Sequence, residues 1–127
     1  MSEPTTNLSD DHSTVADLKR LVAEFVAERK WEPYHDAKNL SMAIAIEAAE
    51  LMEHFQWARS EELNSLLNDP AKRQEVTDEI ADIACFLVSL ASTIGVDLSK
   101  AMADKMVHNR RKYPAEQFQG HWHKPTS

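Results

Sequence analysis

Glycine is nearly missing from this chain: Gly95 and Gly120 are the only two in 127 residues, and the prolines stand at positions 4, 33, 70, 114 and 125. These breakers leave four long uninterrupted segments whose apolar residues recur at helical rather than strand spacing. The expected fold class is therefore all-α. A chain of this length is expected to form one domain and to bury roughly two-thirds of its unfolded surface, enough for a core without staples.

The first helix opens at Ser13 or Thr14, where Thr14 followed by Asp17 resembles a capping box, and carries Val15, Leu18, Val22, Phe25 and Val26 on one stripe. Residues 31–35 break the pattern, because the residue before Pro33 avoids the α region. A second helix is expected from about Asn39 to Ala58 and is apolar around most of its circumference. After a polar connector over 59–69, with room for one helical turn, Asp69-Pro70 supplies an N-cap and first-position pair. The third helix runs from Pro70 to Ile94 and stops at Gly95, a residue suited to a left-handed cap. A fourth spans Leu98 to Lys112, with Pro114 ending it. Together they suggest a four-helix bundle over residues 13–114, between a disordered extension at 1–12 and a flexible tail at 115–127 that includes His121 and His123. The second and third helices are apolar on more faces than one small bundle covers, so a homo-oligomer is expected.

The chain has 14 Lys and Arg against 21 Asp and Glu, a formal charge of -7. That balance makes nucleic-acid polymers and anionic membrane surfaces poor partners. A smaller polyanion remains possible as a ligand if a metal ion or a local basic patch supplies positive charge. Cys85, the one cysteine, lies in the apolar run Ile83–Leu87 and reads as a buried thiol. No intrachain disulfide is possible, and a reducing cytoplasm fits. The N-terminal MSEPTTNLSDDHST lacks the basic and apolar regions of a secretory signal, and no stretch approaches the ~18 apolar residues of a membrane span.

Four acids stand where acids are costly. Glu47 and Glu50 interrupt the apolar run around Ile44–Leu51, and Glu79 and Asp82 interrupt that around Ile80–Ala84. Each pair is three residues apart, so both carboxylates of a pair share a helix face. If those faces meet, four carboxylates converge, and a cation must neutralise them. Clustered carboxylate oxygens suit Mg²⁺, with Mn²⁺ as a substitute. Glu61, Glu62 and Glu75 have polar neighbours and read as solvated, whereas Glu53 extends the ridge and fits either an outer-shell or a solvated role. A bundle di-iron centre would carry Glu-x-x-His on two helices. Here the spacing is Glu50-x-x-x-His54, and the third helix has no histidine.

Glu47-x-x-Glu50, a gap of 28 residues, then Glu79-x-x-Asp82, in an all-α chain, resembles the MazG-like nucleoside triphosphate pyrophosphohydrolases, and more narrowly their dCTP pyrophosphatase branch. Residues 27–31, His35, Asn39-Leu40, 50–57, 79–82, Lys105-Met106, Asn109-Arg110 and Tyr113-Pro114 carry the likeness, which extends over roughly 13–115. The resemblance implies hydrolysis of a dNTP, dCTP or a 5-modified dCTP, to dNMP and pyrophosphate in nucleotide-pool house-cleaning. It implies Mg²⁺ held by Glu47, Glu50, Glu79 and Asp82, with Glu47 orienting water, and a homotetramer built as a dimer of dimers.

Lys105 and Asn109, four apart, offer phosphate donors in the basic patch that the overall charge requires. Arg111 and Lys112 read instead as complements to the helix dipole. The resemblance adds Lys38, Asn39, Arg110 and Tyr113 to the substrate contacts, and Trp31, His35, Trp57 and Phe86 to a base pocket where indoles stack on the nucleobase. Two positions depart from the dCTP-preferring pattern: Val22 where those relatives have His, and Phe86 where they have Tyr. The rival function is a non-enzymatic helical interaction module with a structural cation site. It gives Trp31, Trp57, Lys105 and Asn109 no shared purpose.

Overall fold

The computed structural model describes residues 7–120, most of which are helical, with no strand among them. In order, the helices are α1 (Val15–Glu28), α2 (Ala37–Glu53), α3 (Leu63–Asn68), α4 (Pro70–Thr93), α5 (Leu98–Lys112) and α6 (Ala115–Phe118). Single 3₁₀ turns at Glu32–Tyr34 and Ser60–Glu62 lie in the connectors. The chain divides into two compact units after Gly95.

Local chemistry sets most boundaries of the first unit. The Asp17 amide donates to Thr14 Oγ1 at 3.1 Å and the Thr14 amide to Asp17 Oδ2 at 2.9 Å, the reciprocal box expected at the start of α1. These hydrogen bonds to Thr14, foremost that from its backbone, hold the Asp17 carboxyl below its usual range. A turn precedes the helix, with the Ser13 amide donating to the Ser9 carbonyl at 2.8 Å. At the other end the Trp31 amide donates to Val26 O and the Lys30 amide to Ala27 O, both at 3.0 Å, a Schellman closure with Lys30 at φ 54°. That left-handed conformation costs a residue with a Cβ roughly 1–2 kcal/mol. Lys30→Gly is expected to raise stability by about 0.5–1 kcal/mol, allowing for the entropy that glycine loses on folding. Thermal melting checks this, and an unchanged or lowered midpoint would count against the strain.

The second helix starts and ends earlier than its sequence suggests. Asp36 caps it by accepting from the Asn39 amide at 2.8 Å, so α2 begins at Ala37 rather than Asn39. It gives way at Glu53 rather than Ala58, because His54, Phe55 and Ala58 donate to carbonyls only three residues back. The aromatic segment Phe55-Gln56-Trp57 keeps the apolar pattern but favours a helix weakly. Asp69 and Pro70 open α4 as expected, the Lys72 amide donating to Asp69 Oδ2 at 3.4 Å. Gly95 closes it at φ 74°.

In this unit α4 packs against α1, α2 and α3, most extensively against α2. The buried apolar set is small: Val26, Leu40, Val76, Val88 and Ala91. Ile46 (59% exposed), Ile80 (55%), Met52 and Leu87 remain accessible on α2 and α4. Cys85, expected to be buried, is also exposed. No single helix among the described residues is long and apolar enough to cross a membrane.

In the second unit Asp97 caps α5 by accepting from the Lys100 amide at 3.0 Å. The Tyr113 amide donates to Asn109 O at 2.8 Å, and the Tyr113 ring meets Phe118 edge to face at 5.3 Å. The tail expected from residue 115 thus begins with the one-turn helix α6; residues 1–6 of the N-terminal extension, and His121 and His123, lie outside the described residues.

Candidate functional site

Glu47 and Glu50 project from one face of α2, and Glu79 from α4 against which α2 packs. One carboxylate oxygen of each lies within 4.8 Å of the others. Glu47 and Glu79 are half-buried, and each keeps its Oε2 away from solvent with no hydrogen-bond partner. Leaving such an oxygen unmatched is unfavourable, and native interiors rarely tolerate it without an ion or water. The neighbouring Glu79 carboxyl, and after it burial, raises the Glu47 carboxyl above its usual range. Glu47 in turn raises Glu50. Asp82 is exposed and stands outside the close trio, yet its charge also pushes Glu47 upward. Crowded acids, two orphaned oxygens and an all-oxygen donor set fit a hard divalent cation.

The other candidate residues are distributed unevenly. His35 is half-buried beside an open groove of about 310 Å³, lined also by Lys19 and Val26 of α1, Glu32, and Ser89 and Thr93 of α4. Its Nδ1 is buried and unpartnered, while its carbonyl faces the Thr93 hydroxyl at 3.5 Å. The sequence gives little sign of this groove, because three separated segments build it. The one signal is the run of small hydroxyl residues Ser89, Ser92 and Thr93 ending an apolar helix. Trp31 packs edge-on against Phe25 at 5.8 Å, and the Arg29 guanidinium lies 3.7 Å from the centre of the Phe25 ring. Phe86 is half-buried, seven residues beyond Glu79 and four beyond Asp82 on α4. Trp31, Trp57 and Phe86 do not line the His35 groove. Trp57 is 87% exposed.

Asn39 has a structural duty that its sequence context does not reveal: its side-chain amide donates to the Tyr34 carbonyl at 3.1 Å. Lys38 beside it is exposed. In the second unit Lys105 and Asn109 stand one turn apart on α5, the first exposed and the second half-buried. Arg110 is exposed in the last turn, and Tyr113 caps the helix.

Known proteins resemble this chain along most of its length. The dCTP pyrophosphatase 1 of Bos taurus is 43% identical over 107 residues, which are 84% of this chain and 63% of that protein. Its Homo sapiens counterpart is 43% identical over 102 residues, 80% of this chain and 60% of its own length. The chain thus spans somewhat under two-thirds of these curated relatives. A pyrophosphatase of solved structure from Archaeoglobus fulgidus superposes with a TM-score of 0.75 at 38% identity, covering 85% of this chain and 99% of that one. The sequence profile of the MazG-like family matches residues 42–124, a stretch that starts just before Glu47 and takes in all four acids. On this match, which covers more than half of the chain, and on its likeness to these relatives, the chain belongs to the MazG-like family.

Proposed function

We propose that this chain is a metal-dependent nucleoside triphosphate pyrophosphohydrolase that opens a dNTP between its α and β phosphates, releasing dNMP and pyrophosphate. The observation that carries the reading is the convergence of Glu47, Glu50 and Glu79 with two buried, unpartnered oxygens. The names of the relatives point to dCTP, and a 5-modified dCTP belongs to the same substrate class. Removal of surplus or modified deoxycytidine nucleotides would be the cellular task, and a reducing cytoplasm suits the single thiol.

Glu47, Glu50, Glu79 and Asp82 would hold the ion, Mg²⁺ with Mn²⁺ as a substitute. When bound, the ion neutralises the acids and stabilises negative charge on phosphate oxygens. Glu47 orients the attacking water and takes its proton as the new P–O bond forms and the bridging P–O bond breaks. Lys105, Asn109 and Arg110 donate to phosphate oxygens, offsetting the repulsion between a triphosphate and a chain of charge -7. Lys38 and Tyr113 complete the polar contacts, and Asn39, whose side-chain amide donates to the Tyr34 carbonyl, joins them through its remaining N–H. Trp31, His35, Trp57 and Phe86 present aromatic surface to the base.

The exposed Ile46, Ile80 and Met52 support association of these four-helix bundles through their apolar faces, and the family resemblance extends this to a homotetramer, a dimer of dimers. Light scattering should then give four times the chain mass, and a monomer at micromolar concentration would refute that assembly.

Apolar pockets discriminate weakly between bases, and hydrogen-bonding ones strongly. The wild-type chain, with Val22 and Phe86, is accordingly expected to separate dCTP from other pyrimidine nucleotides only modestly. Val22→His combined with Phe86→Tyr should raise that kcat/KM ratio about tenfold or more. Steady-state rates on all four dNTPs and 5-methyl-dCTP, with products resolved by chromatography, test both the reaction and its selectivity. Turnover with unchanged ratios in the double variant would reject the selectivity argument. Cation binding without turnover of any nucleotide would favour the interaction module.

A further inference from the structure

One turn beyond the acid trio, α2 and α4 are joined by a second polar contact. His54, at the end of α2, lies four residues after Glu50; Glu75 and Lys72 on α4 lie four and seven residues before Glu79. Lys72 Nζ stands 3.4 Å from His54 Nδ1 and donates to Glu75 Oε2 at 3.1 Å. Glu75 Oε2 is 3.7 Å from His54 Nδ1. The His54 side chain is only 16% exposed. Moving forward along α2 thus corresponds to moving backward along α4, so the helices run antiparallel here.

A lysine ammonium has three donors and no acceptor, so Lys72 donates to His54 Nδ1 in the tautomer that leaves the lone pair there. Glu75 keeps the ammonium in place from its own helix. Next to this attractive contact, the carboxylates of Glu47 and Glu79 repel each other across the same pair of helices. A cation site is tight only when its donors are already held near their bound separation, and neighbouring polar contacts commonly do that holding. Sequence spacing marks Glu75 as an ordinary surface acid and finds no metal motif at His54. Only the packing of α2 on α4 brings the two together.

We infer that His54 is a positioning residue, clasped by Lys72 and Glu75, that sets the separation of α2 and α4 and so prepares the Glu47–Glu50–Glu79 cluster for its cation. The inference rests on the metal-binding part of the proposed function and not on the identity of the nucleotide. Its test is calorimetric titration of the full chain with Mn²⁺, in wild type and in His54→Ala, His54→Asn and Lys72→Met.

His54→Ala and Lys72→Met should each weaken Mn²⁺ binding about 3- to 10-fold, less than the loss of a group bonded directly to a ligand. Their double variant should lose little more, because both remove one contact. His54→Asn leaves an acceptor oxygen close to the position of Nδ1 and should bind within about twofold of wild type. A merely structural role for His54 would not be rescued in this way. Lys72 is 35% exposed on α4 and methionine keeps its unbranched apolar stem, so Lys72→Met keeps the test decisive if His54→Ala fails to fold. Unchanged affinity in Lys72→Met, or His54→Asn as weak as His54→Ala, overturns the inference while leaving the proposed function standing. A wild-type chain that binds no Mn²⁺ overturns both. Mn²⁺ affinities that follow the expected pattern in a protein without nucleotide turnover uphold the clasp and reject only the reaction.

Discussion

Glu47→Gln should lower kcat by about 10³-fold or more, since it removes the proposed water-orienting base, worth ~10²–10⁴ alone, together with a charge proposed to hold the cation. KM should move far less, because the proposed base and phosphate contacts lie on other residues. The same change should stabilise the cation-free protein. Glu79 crowds Glu47, and the amide of Gln is neutral and can donate to a carboxylate that now has no partner. Loss of activity coupled to a higher melting midpoint in EDTA separates a functional acid from a structural one. Full activity in Glu47→Gln would remove Glu47 from the mechanism, and a lower midpoint would show that its charge is not a burden on the fold.

Withdrawing divalent cations should have the second large effect. EDTA should reduce turnover to background, and Mg²⁺ should restore it. At about 100 times its dissociation constant, the ion should also add about 2.7 kcal/mol of stability. The pH dependence has a defined sign. Glu47 and Glu50 have carboxyl pKa values raised above the usual 4.5. In EDTA their protonation favours the folded state, so their contribution is fully present below 4.5 and is lost as pH rises through the raised values. The gap between the melting midpoints of Glu47→Gln and wild type should therefore widen with pH across that window, with Glu47→Gln the higher. With Mg²⁺ present the order should reverse, because the acids must lose their protons to bind the ion. A gap that does not change with pH, or turnover that survives EDTA, would contradict the arrangement.

What the residues disclosed in advance follows from the range over which each signal acts. Thr14 with Asp17, Asp69 with Pro70, and Gly95 fix helix ends through atoms a few residues away, and all three ends lie where the sequence puts them. Glu47, Glu50 and Glu79 stand out in the sequence because a carboxylate inside an apolar helical run is costly, and the packing of α2 on α4 brings the three together. The end of α2 was less legible. Phe55 and Trp57 continue the apolar spacing, but the backbone there closes bonds three residues back and the helix stops at Glu53. Lys30 gives no hint that it adopts φ 54°. The His35 groove and the His54–Lys72–Glu75 clasp join segments far apart in sequence, and no periodicity encodes which side chains meet across α2 and α4. Asn39 shows the converse hazard: its type suits phosphate, yet its amide already holds the Tyr34 carbonyl.

The most direct test of the central claim is phosphorus NMR of dCTP hydrolysis by wild type and Glu47→Gln, each with Mg²⁺ and with EDTA. Wild type with Mg²⁺ should give dCMP and pyrophosphate, and the other three samples negligible conversion. Release of dCDP and orthophosphate, or equal conversion by Glu47→Gln, would contradict the claim.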